Sequence, residues 1–445
     1  MRARQGLREK ENEHDSSLNA DRNPFDWVEP GNSNPNPNPN PSPNASGLAY
    51  PDRTMMRVPD TVDAIDPEWL SDALGRSVSS FETHFLEGGV LADAFRLHEI
   101  RYANESTDFP RSVIVKLASQ SEKRRDMAIE NNAYLKEVEF FRELASTMPL
   151  RSPILYRAMT DGSAGAERFV LVMEDLGSHS RVFDQVEDNP DEPFMRKIAI
   201  EIADMHAQYW EAPETRLPWL SARDHRYVFP FDAASRESPD KLSEFLGLWR
   251  KMYGRDLFAE GGVRKSESIT RLLCGPESAN ILDRISDHLS GRPHTLLHGD
   301  LRADNIFRSD HALGLSVDDS ELTYIDWQLM GAGPPGLEFA QAWIHSLPES
   351  LRRKDKDVLG LYHERLVSAN PAAGAYSLEM LIEDYVLGLC LWWAALVTIG
   401  ANTLPEFDKP ESARMKRLWE VSIPRTLIAL DDHDCLDVLE AIASD

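Results

Sequence analysis

The sequence predicts an α+β fold with two lobes, a small β-rich lobe followed by a large and mostly helical one. Strand-sized apolar runs separated by turn residues are concentrated between residues 78 and 173. Beyond that point apolar residues recur mainly at helical spacing, and only two further runs have the length of strands. With 445 residues, of which 42% are hydrophobic, the chain can bury a large core.

The predicted elements begin with a short helix that opens at Pro67 and has an acidic first turn. Strands are predicted over 78–85, 95–102, 112–117 and 168–173, and one long helix over 121–147. The two strand-sized runs in the helical lobe cover 294–297 and 322–325.

The first 55 residues differ in composition from the rest. Residues 34–41 repeat Asn-Pro four times, and such a segment has no apolar side chain to bury and favours extended backbone. We therefore expect a disordered tail at 1–55, the small lobe at 56–176 and the helical lobe at 177–445.

The charge and the cysteines restrict the partners and the compartment. The chain has 48 Lys and Arg against 74 Asp and Glu, a formal net charge of −26, and such a surface repels nucleic acid. It has three cysteines without a C-x-x-C pair, and its N-terminus has no apolar signal core. We expect no nucleic-acid partner and a cytoplasmic location, whereas the oligomeric state is open.

An uncharged stretch, 385–405, resembles a membrane span. Its densely apolar part, 385–399, is shorter than the roughly 20 residues that a spanning helix needs. We therefore predict a buried core helix here and no integral membrane segment.

The sharpest motif lies at 298–305, where His-Gly-Asp-Leu-Arg-Ala-Asp-Asn fits H-x-D followed by four residues and Asn. Phosphotransferases use this spacing in a catalytic loop whose Asp accepts a hydroxyl proton and whose Asn holds a metal ion on ATP. Four intervening residues allow the loop to turn back. The carboxylate of Asp300 can then face the nucleophile while the amide oxygen of Asn305 faces Mg²⁺.

Three more residues fit the same chemistry. Asp326 ends a strand-sized run 21 residues after Asn305, and a carboxylate there suits a second Mg²⁺ ligand. Lys116 ends the apolar run Val-Ile-Val, a context in which a lysine ammonium pairs with nucleotide phosphates. Glu137, on the following helix, is placed to pair with that lysine. Each residue alone has a simpler structural interpretation, but their order together indicates a phosphotransferase.

These motifs make the chain resemble the aminoglycoside phosphotransferase and choline kinase superfamily, and within it the ecdysteroid-kinase-like branch. The resemblance is carried by Lys-Glu-Val-Glu-Phe-Phe-Arg-Glu-Leu from Lys136, Leu-Val-Met-Glu-Asp-Leu-Gly from Leu171, Ala-Asp-Met-His-Ala-Gln-Tyr-Trp from Ala203, Leu-His-Gly-Asp-Leu-Arg-Ala-Asp-Asn-Ile-Phe from Leu297 and Tyr-Ile-Asp-Trp-Gln from Tyr324. It covers about residues 88–393. It implies a bilobal protein-kinase-like fold, with a small antiparallel sheet and one main helix in the first lobe.

The resemblance also implies ATP- and Mg²⁺-dependent transfer of a phosphoryl group to a hydroxyl of a small molecule. The resemblance implies that Asp300 is a base or hydroxyl-orienting group and that Asn305 and Asp326 are Mg²⁺ ligands. It implies a phosphate contact at Lys116, with Glu137 as the partner of that lysine. It also implies that a turn at Gly88 and Gly89 covers the nucleotide and that the backbone of Glu174, Asp175 and Leu176 forms a hinge that binds adenine. Glu137 is preferred to Glu139 because family members carry the glutamate three residues before the Phe-aromatic pair.

The chain departs from the family pattern at three places. The Gly88-Gly89 turn lacks G-x-G-x-x-G, and Asp93 close to phosphates would be unfavourable unless it points outward. Glu338 stands where relatives commonly have aspartate, and we expect it to keep a structural hydrogen-bonding role. The long polar stretch 309–321 is expected to form a surface hairpin loop.

Two other functions are compatible with the fold. A nucleotide-binding pseudokinase or regulatory module would lack turnover, but here every catalytic and metal-ligand position is filled. A protein kinase is disfavoured because no A-P-E-like segment follows Asp326. The acceptor stays open among aminoglycosides, amine alcohols, sterols and other lipid-like alcohols.

Overall fold

The computed structural model describes residues 57–86, 91–104, 108–162, 166–188, 190–211, 213–220, 241–254, 257–258, 264–275, 278–309, 320–403 and 413–444. They form a small lobe built on a five-stranded sheet and a larger helical lobe, so the predicted α+β fold is confirmed. The predicted tail at 1–55 and the Gly88-Gly89 turn lie outside the described residues.

The sheet of the small lobe is antiparallel throughout, with strand order β1-β2-β3-β5-β4. Its strands are β1 (Val78–Leu86), β2 (Ala92–Tyr102), β3 (Val113–Ala118), β4 (Leu155–Thr160) and β5 (Phe169–Glu174). Four of them match predicted strands. β4 was missed because it is an edge strand whose six residues are all half-buried, so no apolar alternation marks it.

β3 separates two apolar layers, because successive side chains of a strand point to opposite faces. Val113 and Val115 lie in the same layer as helix α1 (Pro67–Leu74), which covers the outer face of the sheet. Ile114 packs on the other side, in the core that continues into the helical lobe. The same alternation directs Lys116 to that inner face.

The helix predicted over 121–147 is divided, so the prediction of one continuous helix over these residues was wrong. α2 (Glu122–Glu130) and α3 (Ala133–Glu139) are separated by Asn131 and Asn132. Asn132 has a φ of 47°, the left-handed conformation, which interrupts a right-handed helix of L residues. After α3 the chain makes one π-helical turn, closed by a hydrogen bond from the N–H of Ala145 to the carbonyl of Phe140.

The helical lobe follows the fifth strand. Its α-helices in the described residues are α4 (Glu192–Gln208), α5 (Lys241–Tyr253), α6 (Arg264–Cys274), α7 (Ser278–Ser290), α8 (Pro335–Ser346), α9 (Glu349–Arg352), α10 (Asp355–Ala369), α11 (Leu378–Thr403), α12 (Ala413–Asp432) and α13 (Cys435–Ser444). Two short antiparallel ladders complete it, β6 (Thr295–Leu297) with β9 (Gly331–Gly333) and β7 (Ile306–Arg308) with β8 (Leu322–Tyr324).

α11 is the central helix of this lobe, and it confirms the core helix predicted over 385–399. Of the described helices, it alone has the length and apolar composition of a membrane span, over Leu378–Ala401. However, 83% of its apolar window is buried inside the protein. Gly388 allows the close approach to α8, because a Cβ there would lie 2.7 Å from the Cβ of Ala340.

Candidate active site

Lys116 lies in a buried ion cluster that joins the two lobes. Its Nζ is 2.7 Å and 2.8 Å from the two carboxylate oxygens of Glu137 and 2.9 Å from Oδ1 of Asp326. Lys116 comes from β3, Glu137 from α3, and Asp326 follows β8. Because the side chains of Lys116 and Glu137 are only 14% and 1% exposed, solvent screens this cluster weakly.

The structure distinguishes Glu137 from its neighbour. Glu139 forms its ion pair with Arg142, at 2.7 Å, within one turn of the same helical segment. Side chains two positions apart on a helix point to different faces, so Glu137 faces the sheet and Glu139 does not. The expected pairing of Lys116 with Glu137 is therefore observed.

Burial disfavours the charged form of each side chain in this cluster, and the neighbouring opposite charges favour it. Burial alone would lower the pKa of Lys116, but Asp326 and Glu137 raise it well above its usual value. Burial would raise the pKa of Asp326, but Lys116 holds it below its usual value. For Glu137 burial prevails and raises the pKa of the carboxyl, against the effect of Lys116. Lys116 and Asp326 are thus kept charged.

Residues 298–305 form a loop whose backbone is hydrogen-bonded to the side chain of Glu338 at the start of α8. The N–H of His298 donates to Oε2 of Glu338 at 2.5 Å, and the N–H of Gly299 donates to Oε1 at 3.2 Å. His298 is fully buried, and its Nε2 donates to the carbonyl of Ile325 at 3.1 Å. The structure thus shows the hydrogen-bonding role expected of Glu338.

Gly299 fills a position in this loop that excludes a side chain. It has a φ of 79°, and a Cβ would lie 2.0 Å from the carbonyl oxygen of Leu329. We expect Gly299→Ala to lower the free energy of unfolding by about 2 kcal/mol or more, because left-handed strain adds to a backbone clash. Thermal denaturation measures the effect.

The matched control for this prediction is Gly360→Ala in α10, where a Cβ would meet nothing within 4 Å. A helical alanine there should stabilise the protein by about 0.5 to 1 kcal/mol. Equal melting temperatures for the two variants would contradict the close contact at Gly299.

The carboxylate of Asp300 accepts four hydrogen bonds, which fix its orientation. Arg302 donates from Nε to Oδ1 at 2.8 Å and from Nη2 to Oδ2 at 3.1 Å. Gln341 of α8 donates to Oδ1 at 2.8 Å, and the amide of Asn305 donates to Oδ2 at 3.0 Å. A carboxylate held this way is pre-positioned for a reacting group.

Asn305 and Asp326 are brought together through the backbone. The N–H of Ile325 donates to the carbonyl of Asn305 at 3.0 Å, beside the β7–β8 ladder. The amide nitrogen of Asn305 donates to the carbonyl of Asp300 at 2.9 Å, so its oxygen is the end that can bind a cation. Asp326 has φ 67° and ψ 58°, a strained backbone of the kind that clusters at functional sites. Amide and carboxylate oxygens are the ligands that Mg²⁺ prefers.

An aromatic stack ties the helix that carries Glu137 to the 298–305 loop. The rings of Phe140 and Trp327 are parallel within 9° with centroids 4.1 Å apart. The other neighbour of Trp327 is the ring of His298, at 4.4 Å. Since Trp327 directly follows Asp326, displacement of this helix would also disturb the carboxylate.

The predicted hinge leaves the end of β5 and is braced from both lobes. Arg151 pairs with the carboxylate of Glu174 at 3.1 Å and also donates to the hydroxyl of Thr323 on β8. The carbonyl of Leu176 accepts hydrogen bonds from the N–H groups of His179 and Ser180.

The side chain of Asp175 fastens the hinge to the sheet. It accepts hydrogen bonds from Nε of Arg96 at 2.7 Å and from the hydroxyl of Ser112 at 2.5 Å. Burial would raise the pKa of Asp175, but Ser112 and Arg96 hold it below its usual value. The hinge side chains are thus structural, and any adenine contact would fall to the backbone.

The carboxylate of Asp93 is paired inside the small lobe and is not free to repel a phosphate. It is buried on β2 and accepts hydrogen bonds from the N–H of Gln120 at 2.8 Å and from Arg124 at 2.5 Å.

The expected surface loop at 309–321 lies mostly outside the described residues, but its ends pair through the N–H of Ser309 and the carbonyl of Glu321.

Sequence reasoning missed three residues of this site, Arg302, Gln341 and Arg151. Arg302 had a signal, since it stands two residues after Asp300 within the motif. Gln341 and Arg151 had none, because they meet the site only through the packing of α8 and of the segment before β4.

Similar solved structures include an ethanolamine kinase of Plasmodium vivax, with 11% identity, TM-score 0.39 and coverage of 77% of this chain and 82% of that chain. The choline kinase LicA of Streptococcus pneumoniae has 16% identity, TM-score 0.40 and coverage of 81% and 97%. A GDP complex of aminoglycoside 2′-phosphotransferase-IIIa has 14% identity, TM-score 0.40 and coverage of 78% and 93%.

No curated protein matches the sequence. Residues 91–373, more than half of the chain, match the ecdysteroid kinase-like family. The matched segment contains the ion cluster, the 298–305 loop and Glu338, and it confirms the resemblance stated from the motifs. The chain belongs to the ecdysteroid kinase-like family.

Proposed function

We propose that this protein transfers the γ-phosphoryl group of ATP, in the presence of Mg²⁺, to a hydroxyl group of a small-molecule acceptor. The observation that carries the proposal is the ion cluster of Lys116, Glu137 and Asp326, which lies beside the linked Asp300 and Asn305. These are the charge types that phosphoryl transfer requires, and the family assignment supports the same activity.

Lys116 would bind the α- and β-phosphates of ATP. Its ammonium is the only positive group of the ion cluster, and Glu137 holds it on the inner face of the sheet. A lysine that is charged, buried and fixed costs little reorganisation when it meets an anion. We also propose that the backbone of Glu174, Asp175 and Leu176 binds adenine.

Asn305 and Asp326 would hold Mg²⁺, since an amide oxygen and a carboxylate suit this hard cation. The bound ion would neutralise charge on the phosphates. The residues' own contribution is placement, because the contact between Ile325 and Asn305 fixes the distance between the two ligands.

Asp300 would receive the proton of the acceptor hydroxyl. In this step a bond forms between the hydroxyl oxygen and the γ-phosphorus, and the bond from that phosphorus to the β,γ-bridging oxygen breaks. ADP leaves with the electron pair. Because the four hydrogen bonds to Asp300 fix its carboxylate, positioning and charge stabilisation supply most of the rate enhancement.

The acceptor is a small molecule in this proposal, and the protein acts in the cytoplasm without a nucleic-acid partner. The net charge of −26 supports the exclusion of polyanions. Gly88 and Gly89 would cover the nucleotide, as the resemblance implies.

Calorimetric titration of ATP tests the nucleotide part of this proposal. The wild-type protein should bind ATP more tightly with Mg²⁺ than without it, and Asp326→Asn should weaken the Mg²⁺-dependent binding at least about tenfold. Titration without Mg²⁺ is the internal control. Binding that ignores Mg²⁺ and is equal in both proteins would contradict the metal assignment.

A further inference from the structure

A polar cluster lies on the helical-lobe side of Asp300. We call Gln185, Arg302, His345 and Arg425 the arginine cluster. Arg302, which holds Asp300, has its Nη1 3.4 Å from Oε1 of Gln185. Arg425 of α12 donates from Nη1 to the carbonyls of Gln185 at 3.4 Å and His345 at 3.3 Å. A continuous set of contacts thus leads from the carboxylate of Asp300 to the guanidinium of Arg425.

Arg425 differs from its helix neighbours because it forms no ion pair with any described Asp or Glu. Arg414 and Arg417, on the same helix, pair with Asp184 and Glu187. Burial lowers the pKa of Arg425, and no neighbouring charge opposes that effect. A partly buried guanidinium whose protein contacts are two long hydrogen bonds to carbonyls is well suited to bind an anion.

Two buried polar atoms of the same cluster have no hydrogen-bond partner among the described residues. They are Nε2 of Gln185 and Nδ1 of His345, in side chains of residues that are 1% and 7% exposed. Ser422, three residues before Arg425 and therefore on the same helix face, has a buried hydroxyl that is also unpaired. Buried polar atoms are normally hydrogen-bonded, and a bound water or ion is one physical reason for an exception.

The backbone of α12 is unusual at this position. Pro424 lies inside the helix, directly before Arg425. An interior proline removes one helical hydrogen bond and crowds the preceding turn, so it destabilises or kinks the helix at this point. Here it directly precedes Arg425, whose guanidinium donates to the carbonyls of Gln185 and His345.

The arginine cluster has a local positive field at Arg425, because Arg302 is paired with Asp300 while no described carboxylate pairs with Arg425. Burial, together with the charges of Arg302 and Arg425, lowers the pKa of His345 to about 3, so this side chain is neutral at physiological pH. His345 and Gln185 are therefore neutral hydrogen-bonding groups around one unpaired guanidinium. The net charge of the whole protein does not cancel this field, because distant charges are screened over about 8 Å.

We propose that the acceptor is an alcohol that also carries a carboxylate or phosphate group, and that Arg425 binds this anionic group while Asp300 receives the hydroxyl proton. The proposal rests on the phosphotransferase function proposed above and specifies its substrate class. A guanidinium binds either anion through two parallel hydrogen bonds. Gln185 and His345 would complete the contacts of the anion or of neighbouring hydroxyl groups.

The test compares related alcohols that share a carbon skeleton and differ in one charged substituent. Glucose, glucuronate, glucose 6-phosphate and glucosamine form one series, and glycerol, glycerate, glycerol 3-phosphate and 3-amino-1,2-propanediol form another. Binding by thermal shift and ADP release from MgATP are measured for each compound. The anionic members should bind and react better than the neutral and cationic members, and the two anionic arms separate carboxylate from phosphate.

Arg425→Gln should raise the KM for the preferred anionic acceptor about 10- to 100-fold and leave the KM for ATP unchanged. Arg425→Lys, which keeps the charge but loses the two-pronged geometry, should lie between wild type and Arg425→Gln. Arg417→Gln is the matched control, since Arg417 lies on the same helix and is 60% exposed. Its KM values should equal those of the wild type.

The outcomes separate this proposal from the one on which it rests. If anionic alcohols neither bind nor react better than their neutral counterparts, the acceptor class is wrong. If a neutral or cationic alcohol is phosphorylated and Arg425→Gln changes only the melting temperature, Arg425 is structural and the kinase function stands. If the protein fails to bind MgATP at all, both proposals fail.

Discussion

Replacing Asp300 with asparagine should lower the rate of acceptor-dependent phosphoryl transfer about 10²- to 10⁴-fold, because an amide cannot take the hydroxyl proton. The KM for ATP should stay near the wild-type value, since the proposed partner of Asp300 is the acceptor hydroxyl and not the nucleotide. Arg302 and Gln341 donate hydrogen bonds that fix the carboxylate of the wild type. Asparagine replaces one of the accepting oxygens with an N–H donor, so one of these contacts is lost. Steady-state ADP release with and without acceptor measures the effect.

Asp304→Asn is the matched control for this prediction. Asp304 lies in the same loop and its nearest charged contact is Arg302 at 3.6 Å, so the substitution removes one carboxylate without touching Asp300. Its activity should stay close to that of the wild type. Equal rates for Asp300→Asn and wild type would refute the role of Asp300.

Lys116→Met should abolish both tight MgATP binding and measurable transfer. The substitution removes the proposed phosphate contact, and it also leaves Glu137, which is 1% exposed, without its cation. Breaking a buried ion pair from one side costs about 3–5 kcal/mol of stability. We therefore expect a lower melting temperature together with a loss of transfer of about 10²-fold or more.

The double variant Lys116→Met with Glu137→Gln separates the two effects. With both charges gone α3 carries no unpaired buried carboxylate, whereas Asp326, which is 22% exposed, still lacks its cation. The melting temperature should therefore recover part of the loss. Transfer should stay as low as in Lys116→Met. Recovery of transfer along with stability would show that Lys116 acts only on the fold.

Four residues of the site, Lys116, Asp300, Asn305 and Asp326, were predictable because each has a local signal. Lys116 ends an apolar strand, and strand alternation alone places it on the inner face. Asp300 and Asn305 share one loop with a recognisable spacing, and Asp326 ends a strand. What sequence reasoning could add only through the family pattern was the choice of Glu137 over Glu139.

The remaining features depend on contacts between distant segments. The break at Asn132 was missed because the apolar spacing continues across it, while the left-handed φ is a property of the folded chain. β7 and β9 have three residues each, too few for an alternation to show. Gln341 reaches the site only because α8 packs beside the 298–305 loop, and Arg425 reaches Gln185 and His345 only because α12 packs against α8.

Phosphoryl transfer by this protein is tested most directly with γ-labelled ATP, Mg²⁺ and a panel of small alcohols, followed by chromatography of the products. We expect label to appear in an alcohol, ADP to form in equal amount, and Asp300→Asn and Lys116→Met to abolish both. Tight MgATP binding by the wild type with no labelled alcohol and no ADP would contradict this expectation. The protein would then be a nucleotide-binding module without turnover.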